Sequence, residues 1–190
     1  PKSAEFTGEE LKLIGVANLA YWHGFDRVIR GIHDYYSNGG QCRIHFDIVG
    51  TGTELSALRL LSTQLGLERH VRFHGPLIGD ALDAVAMQCH VGIACIGHHR
   101  LRRDTTSLKS REYCARTLPF VNGHEDKDFP PETPYVYMAP ADDSPLDISG
   151  VLEFRRRLEA EEPDFRKLMR EKAEKELDWR EKMQPIIEYL

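Results

Sequence analysis

Lys109 and Glu112 stand three residues apart. On a helix that spacing puts an ammonium and a carboxylate on neighbouring turns of one face, where both can reach a single ligand. The local pattern predicts such a helix from Leu108 to Ala115, opening at Ser107. Lys109 falls in its first turn, where a cation opposes the helix dipole at a cost of roughly a few tenths of a kcal/mol. An anion such as a diphosphate, docked on the free N–H groups of the helix start, removes that cost. The plainer alternative is an exposed ion pair worth under about 1 kcal/mol.

Other groups with chemical potential lie on loops. His23 precedes Arg27 by one helical turn, and His98, His99, Arg100, Arg102 and Arg103 form a basic cluster just before Asp104. The cluster reads equally as a source of cationic charge for a ligand or as a solvated loop. His45, His74 and His90 fall inside strand patterns and read as structural. Although the chain has nine histidines, no His, Cys, Asp or Glu set has zinc-like spacing, and no metal is expected. Cys42, Cys89, Cys95 and Cys114 form no C-x-x-C pair and sit in mostly apolar patterns, so they read as reduced, buried thiols. No activating base is evident beside Cys42 or Cys114, which disfavours a nucleophilic role for either.

The elements that must position these groups alternate regularly. Strands are predicted at 11–17, 43–49, 71–74, 91–96, 118–121 and 135–139. Helical apolar spacing follows the first of them (Phe25, Val28, Ile29, Ile32), the second (Leu55, Leu58, Leu61, Leu65) and the third (81–89). Strands separated by single helices pair in parallel through right-handed crossovers, which predicts an α/β, doubly wound, Rossmann-like sheet. Beyond Asp147 the sequence turns to Glu, Lys and Arg with helical apolar spacing, predicting two or three extra C-terminal helices broken at Pro163 and Pro185. In such a sheet ligands bind beyond the carboxyl ends of the strands, so the loops at 18–24 and 97–107 and the helix opening at Ser107 are the places to look.

With 190 residues, 41% of them hydrophobic, one domain spanning 1–190 is expected. A formal net charge of −5 argues against nucleic acid as a partner. No apolar run approaches the roughly 20 residues of a membrane span. The chain lacks an initiator Met and enters its first strand almost at once, so an N-terminal portion is expected to precede it.

The segment Ser107-Leu108-Lys109-Ser110-Arg111-Glu112-Tyr113-Cys114-Ala115-Arg116-Thr117-Leu118-Pro119-Phe120-Val121 resembles the pattern K-x-x-E-x-x-A-x-G-x-P-apolar-apolar of GT-B retaining glycosyltransferases, in their C-terminal, donor-binding domain. Three further matches occur in order: Tyr21–Asp26 resembles the K-G-apolar-D loop, Phe46–Gly52 the apolar-apolar-G-x-G turn, and Val71–Gly75 the V-x-F-x-G strand end. The resemblance covers nearly the whole chain.

The resemblance implies transfer of a sugar from a nucleoside diphosphate, without metal or other cofactor, to a saccharide or lipid-linked acceptor held by an N-terminal domain that this chain lacks. It implies a hexosyltransferase-type enzyme, inactive as this half alone, in the cytoplasm or peripheral to the inner membrane, with bacterial surface-polysaccharide synthesis as the setting. By analogy the catalytic carboxylates are Glu112, which holds the ribose hydroxyls, and Asp104, eight positions earlier, which takes the place of the family's first glutamate with one methylene less. Asn18 and His23 stand where the family has an Arg and a Lys that neutralise the diphosphate. The implied donor contacts are Asn18, His23, Gly24, Arg27, Gly75, Leu77, Lys109 and Glu112, with the base near the loop from Gly75 to Gly79. Lys109, Arg27, the basic cluster or a protonated His23 are candidates to replace the missing cations. The segment Trp179–Leu190 is expected to pack across the domain boundary. Two rivals share this architecture: a sugar-nucleotide epimerase, and a relative that has lost its site and serves as a binding or scaffold subunit.

Overall fold

The computed structural model describes residues 4–101 and 107–178. Its six strands form one parallel sheet in the order β3-β2-β1-β4-β5-β6. Along the chain these are β1 (Glu10–Asn18), α1 (Phe25–Ser37), β2 (Arg43–Thr51), α2 (Leu55–Gln64), β3 (Val71–Gly75), α3 (Gly79–Ala86), β4 (Val91–Ile93), α4 (Leu108–Ala115), β5 (Phe120–Asn122), β6 (Val136–Met138), α5 (Ile148–Glu161) and α6 (Phe165–Lys172). The doubly wound sheet predicted from the alternation is therefore present. Its strand order reverses between β1 and β4, which makes that junction the switch point where a crevice opens.

Both faces of the sheet are covered, as parallel strands require. On one face Leu11, Leu13, Ile44, Phe46 and Ile48 pack against Val28, Ile29 and Ile32 of α1, Leu58 of α2 and Val151 of α5. On the other, Ile14, Val49 and Phe120 meet Tyr113 and Cys114 of α4 and Phe165 and Met169 of α6. Helix α5 starts at the N-cap Asp147, whose carboxylate accepts the Gly150 N–H at 2.9 Å. It stops at Glu161, since the residue before Pro163 is pushed out of the helical region. A single π-helical turn, Ala173–Leu177, follows α6. Pro185 and the segment 179–190 lie outside the described residues.

Strand β4 is shorter than the predicted 91–96, and the reason bears on the site. β1 and β2 pair continuously from Glu10↔Arg43 to Asn18↔Thr51, whereas β1 and β4 pair at Leu13↔Val91 and Ile14↔Gly92 and then part. Past Ile93 the chain still follows β5, through Ala94 N–H to Val121 O at 2.9 Å, but it leaves β1. The gap is bridged by Tyr113. Its hydroxyl accepts the Val16 N–H at 3.2 Å and lies within donating distance of Ile14 O (3.3 Å) and Ile93 O (3.2 Å). A phenol thus stands in for the missing ladder bonds, and the loops beyond it are free to diverge.

Helix α3 runs from Gly79 to Ala86 rather than over 81–89, because Met87 to Cys89 form a closing turn instead of a further helical one. Thr117 occupies the position at which the resembled pattern has glycine, and its φ of 55° is left-handed. All four cysteines are free and buried. Among the described residues no helix is long and apolar enough to cross a membrane.

Candidate functional site

Two loops meet at the switch point. After β1 the chain makes a 3-10 turn, Tyr21–His23, and enters α1 through Gly24, whose φ of 75° is left-handed. The loop after β4 passes directly beside it: a Cβ on Gly24 would come within 2.7 Å of Gly97 N, and one on Gly97 within 2.9 Å of Trp22 O. Glycine at both positions lets the two backbones touch. The His23 carbonyl accepts the Ile96 N–H at 3.3 Å, and the Trp22 carbonyl accepts the Cys95 thiol at 3.0 Å.

Above this contact lies an open crevice of about 280 Å³, bounded by Trp22 and His23 on one side and by Ser107, Leu108 and Lys109 at the opening of α4 on the other. Cys95 and His98 complete its floor and wall. The structure therefore brings together His23, Lys109 and the start of α4, which the sequence had placed on separate loops. Trp22, Cys95 and Ser107 belong to the crevice too; of these, Ser107 was expected as the helix opening, while Trp22 and Cys95 were not named as site residues. Their only signal was proximity to loops at the carboxyl ends of β1 and β4.

His23 is neutral. Its ring is 8% exposed, and burial, with Lys109 nearby as the second cause, lowers its pKa to about 4. Nδ1 accepts the Ala20 N–H at 3.2 Å, so the proton of the neutral ring sits on Nε2 and makes that nitrogen a donor. The expectation that a protonated His23 replaces a missing cation is thus corrected to a neutral N–H donor. Lys109 is also held below the ordinary lysine range by burial, an effect opposed by the nearby Cys95 and Glu112. Ser107 Oγ is buried, has no hydrogen-bond partner among the described residues, and does not cap α4.

Other candidates sit differently. Arg27 is fully buried and its guanidinium donates to Ile96 O, to Ser144 O at 2.6 Å and to Asp142 at 3.5 Å. Its donors are directed at loop carbonyls and Asp142. His99 and Arg100 turn to Asp143, at 3.0 and 2.6 Å, and Arg100 also binds Asp26. Of the described members of the basic cluster, His98 lines the crevice, stacked at 4.1 Å on His124; Arg102, Arg103 and Asp104 lie outside the described residues. Glu112 is one turn beyond Lys109, its side chain 55% exposed and 3.8 Å from Arg116. Asn18 is exposed at the end of β1, its Oδ1 close to Gly52. Gly75 has a left-handed φ of 71° at the end of β3, and Leu77 packs partly against the core.

A larger cleft of about 450 Å³ lies over the starting halves of β1 and β2 and along β3. Its charges are mostly spent on one another, as in His74–Asp47 at 2.6 Å, Lys12–Glu10 at 3.3 Å and His45–Glu10 at 3.3 Å. It is away from the carboxyl strand ends, so the smaller crevice is the better candidate. Among the described residues no three His, Cys, Asp or Glu side chains are grouped as a metal site requires.

No protein-family model and no curated protein matches this sequence. Solved structures do match its fold. The pneumococcal O-GlcNAc transferase GtfA, in complex with UDP and GlcNAc, superposes with a TM-score of 0.62 at 18% identity, over 86% of this chain and 32% of that one. Anabaena Alr3699/HepE in complex with UDP gives 0.72 at 16% identity, over 95% and 48%. A sucrose-phosphate synthase from Thermosynechococcus elongatus gives 0.66 at 15% identity, over 97% and 46%. The fold is that of GT-B glycosyltransferases, and the chain spans a third to a half of each matched protein.

Proposed function

We propose that this chain is the donor-binding domain of a glycosyltransferase and that it holds a nucleoside-diphosphate sugar, most simply a UDP-sugar, in the crevice between β1 and β4. One observation carries the reading. Lys109 places a partly buried ammonium at the opening of α4, and the neutral His23 ring faces the same crevice from the turn after β1. A diphosphate there meets helix N–H groups, an ammonium and an imidazole N–H together. UDP in two of the matched structures supports the choice of base. In this reading Glu112 takes the ribose hydroxyls, Asp104 approaches the sugar, and Gly75 and Leu77 border the base. Transfer retains anomeric configuration, needs no metal, and uses an acceptor saccharide or lipid-linked sugar bound by an N-terminal domain, in the cytoplasm or at the inner face of the membrane.

The test is a thermal-shift and calorimetric panel of UDP, GDP, ADP and CMP on the chain and on Lys109→Ala and Glu112→Ala. UDP at about 100 times its dissociation constant should add roughly 2.7 kcal/mol of stability. Absence of a shift with every nucleotide would overturn the proposal. It would favour the scaffold reading, which also has an observation in its favour: with Arg27 buried, Arg100 paired and His23 neutral, Lys109 is the one fixed cation lining the crevice among the described residues.

A further inference from the structure

His23 sits on a three-residue 3-10 turn, too short to fix its own orientation. The Ile96 N–H and the Cys95 thiol hold the turn's last two carbonyls, and the Arg100 guanidinium holds its first. That guanidinium grips both oxygens of Asp26, the second residue of α1, at 2.7 and 2.9 Å. It also donates to the Tyr21 carbonyl at 2.8 Å and lies 4.0 Å over the Tyr21 ring. Its Nε is held in turn by Asp143, from the loop between β6 and α5, at 2.6 Å. The Arg100 side chain is only 5% exposed. One planar group thus bonds Tyr21, two residues before His23, and Asp26, three residues after it, and ties both to the loop that carries Asp143. A lysine in its place would provide charge without the fork.

We propose that Arg100 is a positioning residue for His23: by clamping Tyr21 and Asp26 to Asp143 it fixes the turn so that the Nε2–H of His23 faces the crevice beside Lys109. This rests on the nucleotide reading for what the donor meets, but not for the clamp itself. It also accounts for a basic residue of the cluster being turned away from the crevice. Arg100 acts there through His23, without touching the ligand.

The experiment uses the whole chain, with Arg100→Lys, Arg100→Gln, Asp26→Asn and Asp26→Glu. Long-range ¹⁵N–¹H spectra of the histidine rings report the tautomer and titration of His23, and calorimetry reports UDP affinity. In the wild type His23 should show the Nε2–H tautomer and resist protonation down to about pH 4. Arg100→Gln and Asp26→Asn should give averaged tautomers, a titration nearer the ordinary histidine value, and UDP binding weakened about tenfold, a change of about 1.4 kcal/mol. Arg100→Lys should fall between, and Asp26→Glu, which restores a carboxylate, should recover the wild-type ring signature. Folded variants with an unchanged His23 spectrum and UDP affinity within about twofold of wild type would overturn the proposal. If the wild type binds no UDP, the nucleotide reading falls, while the ring spectra still decide the clamp.

Discussion

The ring of Tyr113 occupies the space a side chain on Gly92 would need: a Cβ built there comes within 2.7 Å of it. This lets the phenol of α4 reach under β4 to the point where β1 and β4 part. Removing the hydroxyl with Tyr113→Phe keeps the packing but strips the Val16 N–H of its partner. A buried donor left unsatisfied costs about 1–3 kcal/mol. Urea denaturation should show that loss with an unchanged m-value. A loss under about 0.5 kcal/mol would mean that the hydroxyl is not what splices the sheet.

Thr117 tests the opposite sign. A β-branched residue at φ 55° carries left-handed strain of about 1–2 kcal/mol, whereas glycine adds about 0.5–1 kcal/mol of unfolded-state entropy. The strain is the larger, so Thr117→Gly should stabilise the chain by about 0.5–1 kcal/mol. Differential scanning calorimetry reads it as a higher Tm. A lower Tm would show that the Thr117 side chain contributes more than its backbone costs.

These two residues also mark how much the sequence disclosed. Helix α4 runs over Leu108–Ala115 as predicted: Ser107 is extended before it, though without a side-chain cap, and the turn into Pro119 ends it. The alternation of apolar strand and amphipathic helix dictated the doubly wound sheet. The end of β4 was not legible, since it depends on a hydroxyl 20 residues away in sequence inserting between strands. Nor was the fate of the arginines. Arg27 and Arg100 have the residue type that binds phosphate, but which carboxylates and carbonyls they meet is decided by loops distant in sequence, such as 142–144. Lys109 and His23, read from separate segments of the sequence, line one crevice, and among the described residues Arg27 and Arg100 are directed at loop partners.

Lys109 offers a prediction in which stability and binding move apart. Burial disfavours its charged form, so in the empty chain the ammonium is a cost. Lys109→Met keeps the length of the side chain and removes the charge. The ligand-free Tm should stay the same or rise, while UDP affinity falls at least about tenfold, or about 1.4 kcal/mol. A lower Tm with unchanged UDP affinity would identify Lys109 as an ordinary partner of Glu112.

The pH dependence of stability follows from two buried histidines. Burial, then Lys109, lowers the pKa of His23 to about 4, and burial, then Arg155 and Lys12, does the same for His90, whose Nδ1 accepts the Lys12 N–H at 3.1 Å. Both folded values lie below the ordinary 6.5. As pH falls through 6.5 the unfolded chain takes up protons that the folded chain refuses, so stability drops. The slope approaches about 1.4 kcal/mol per pH unit for each histidine and levels off only near the folded value. Stability should therefore be flat above about pH 7 for these groups and decline between about pH 6.5 and 4. His90→Gln should reduce that slope, while His23 and the likewise lowered His45 and His124 keep the rest, even if it lowers stability at neutral pH. Equilibrium denaturation from pH 4 to 8 provides the check, and a stability unchanged between pH 6.5 and 5 would show that the two rings accept protons in the folded state.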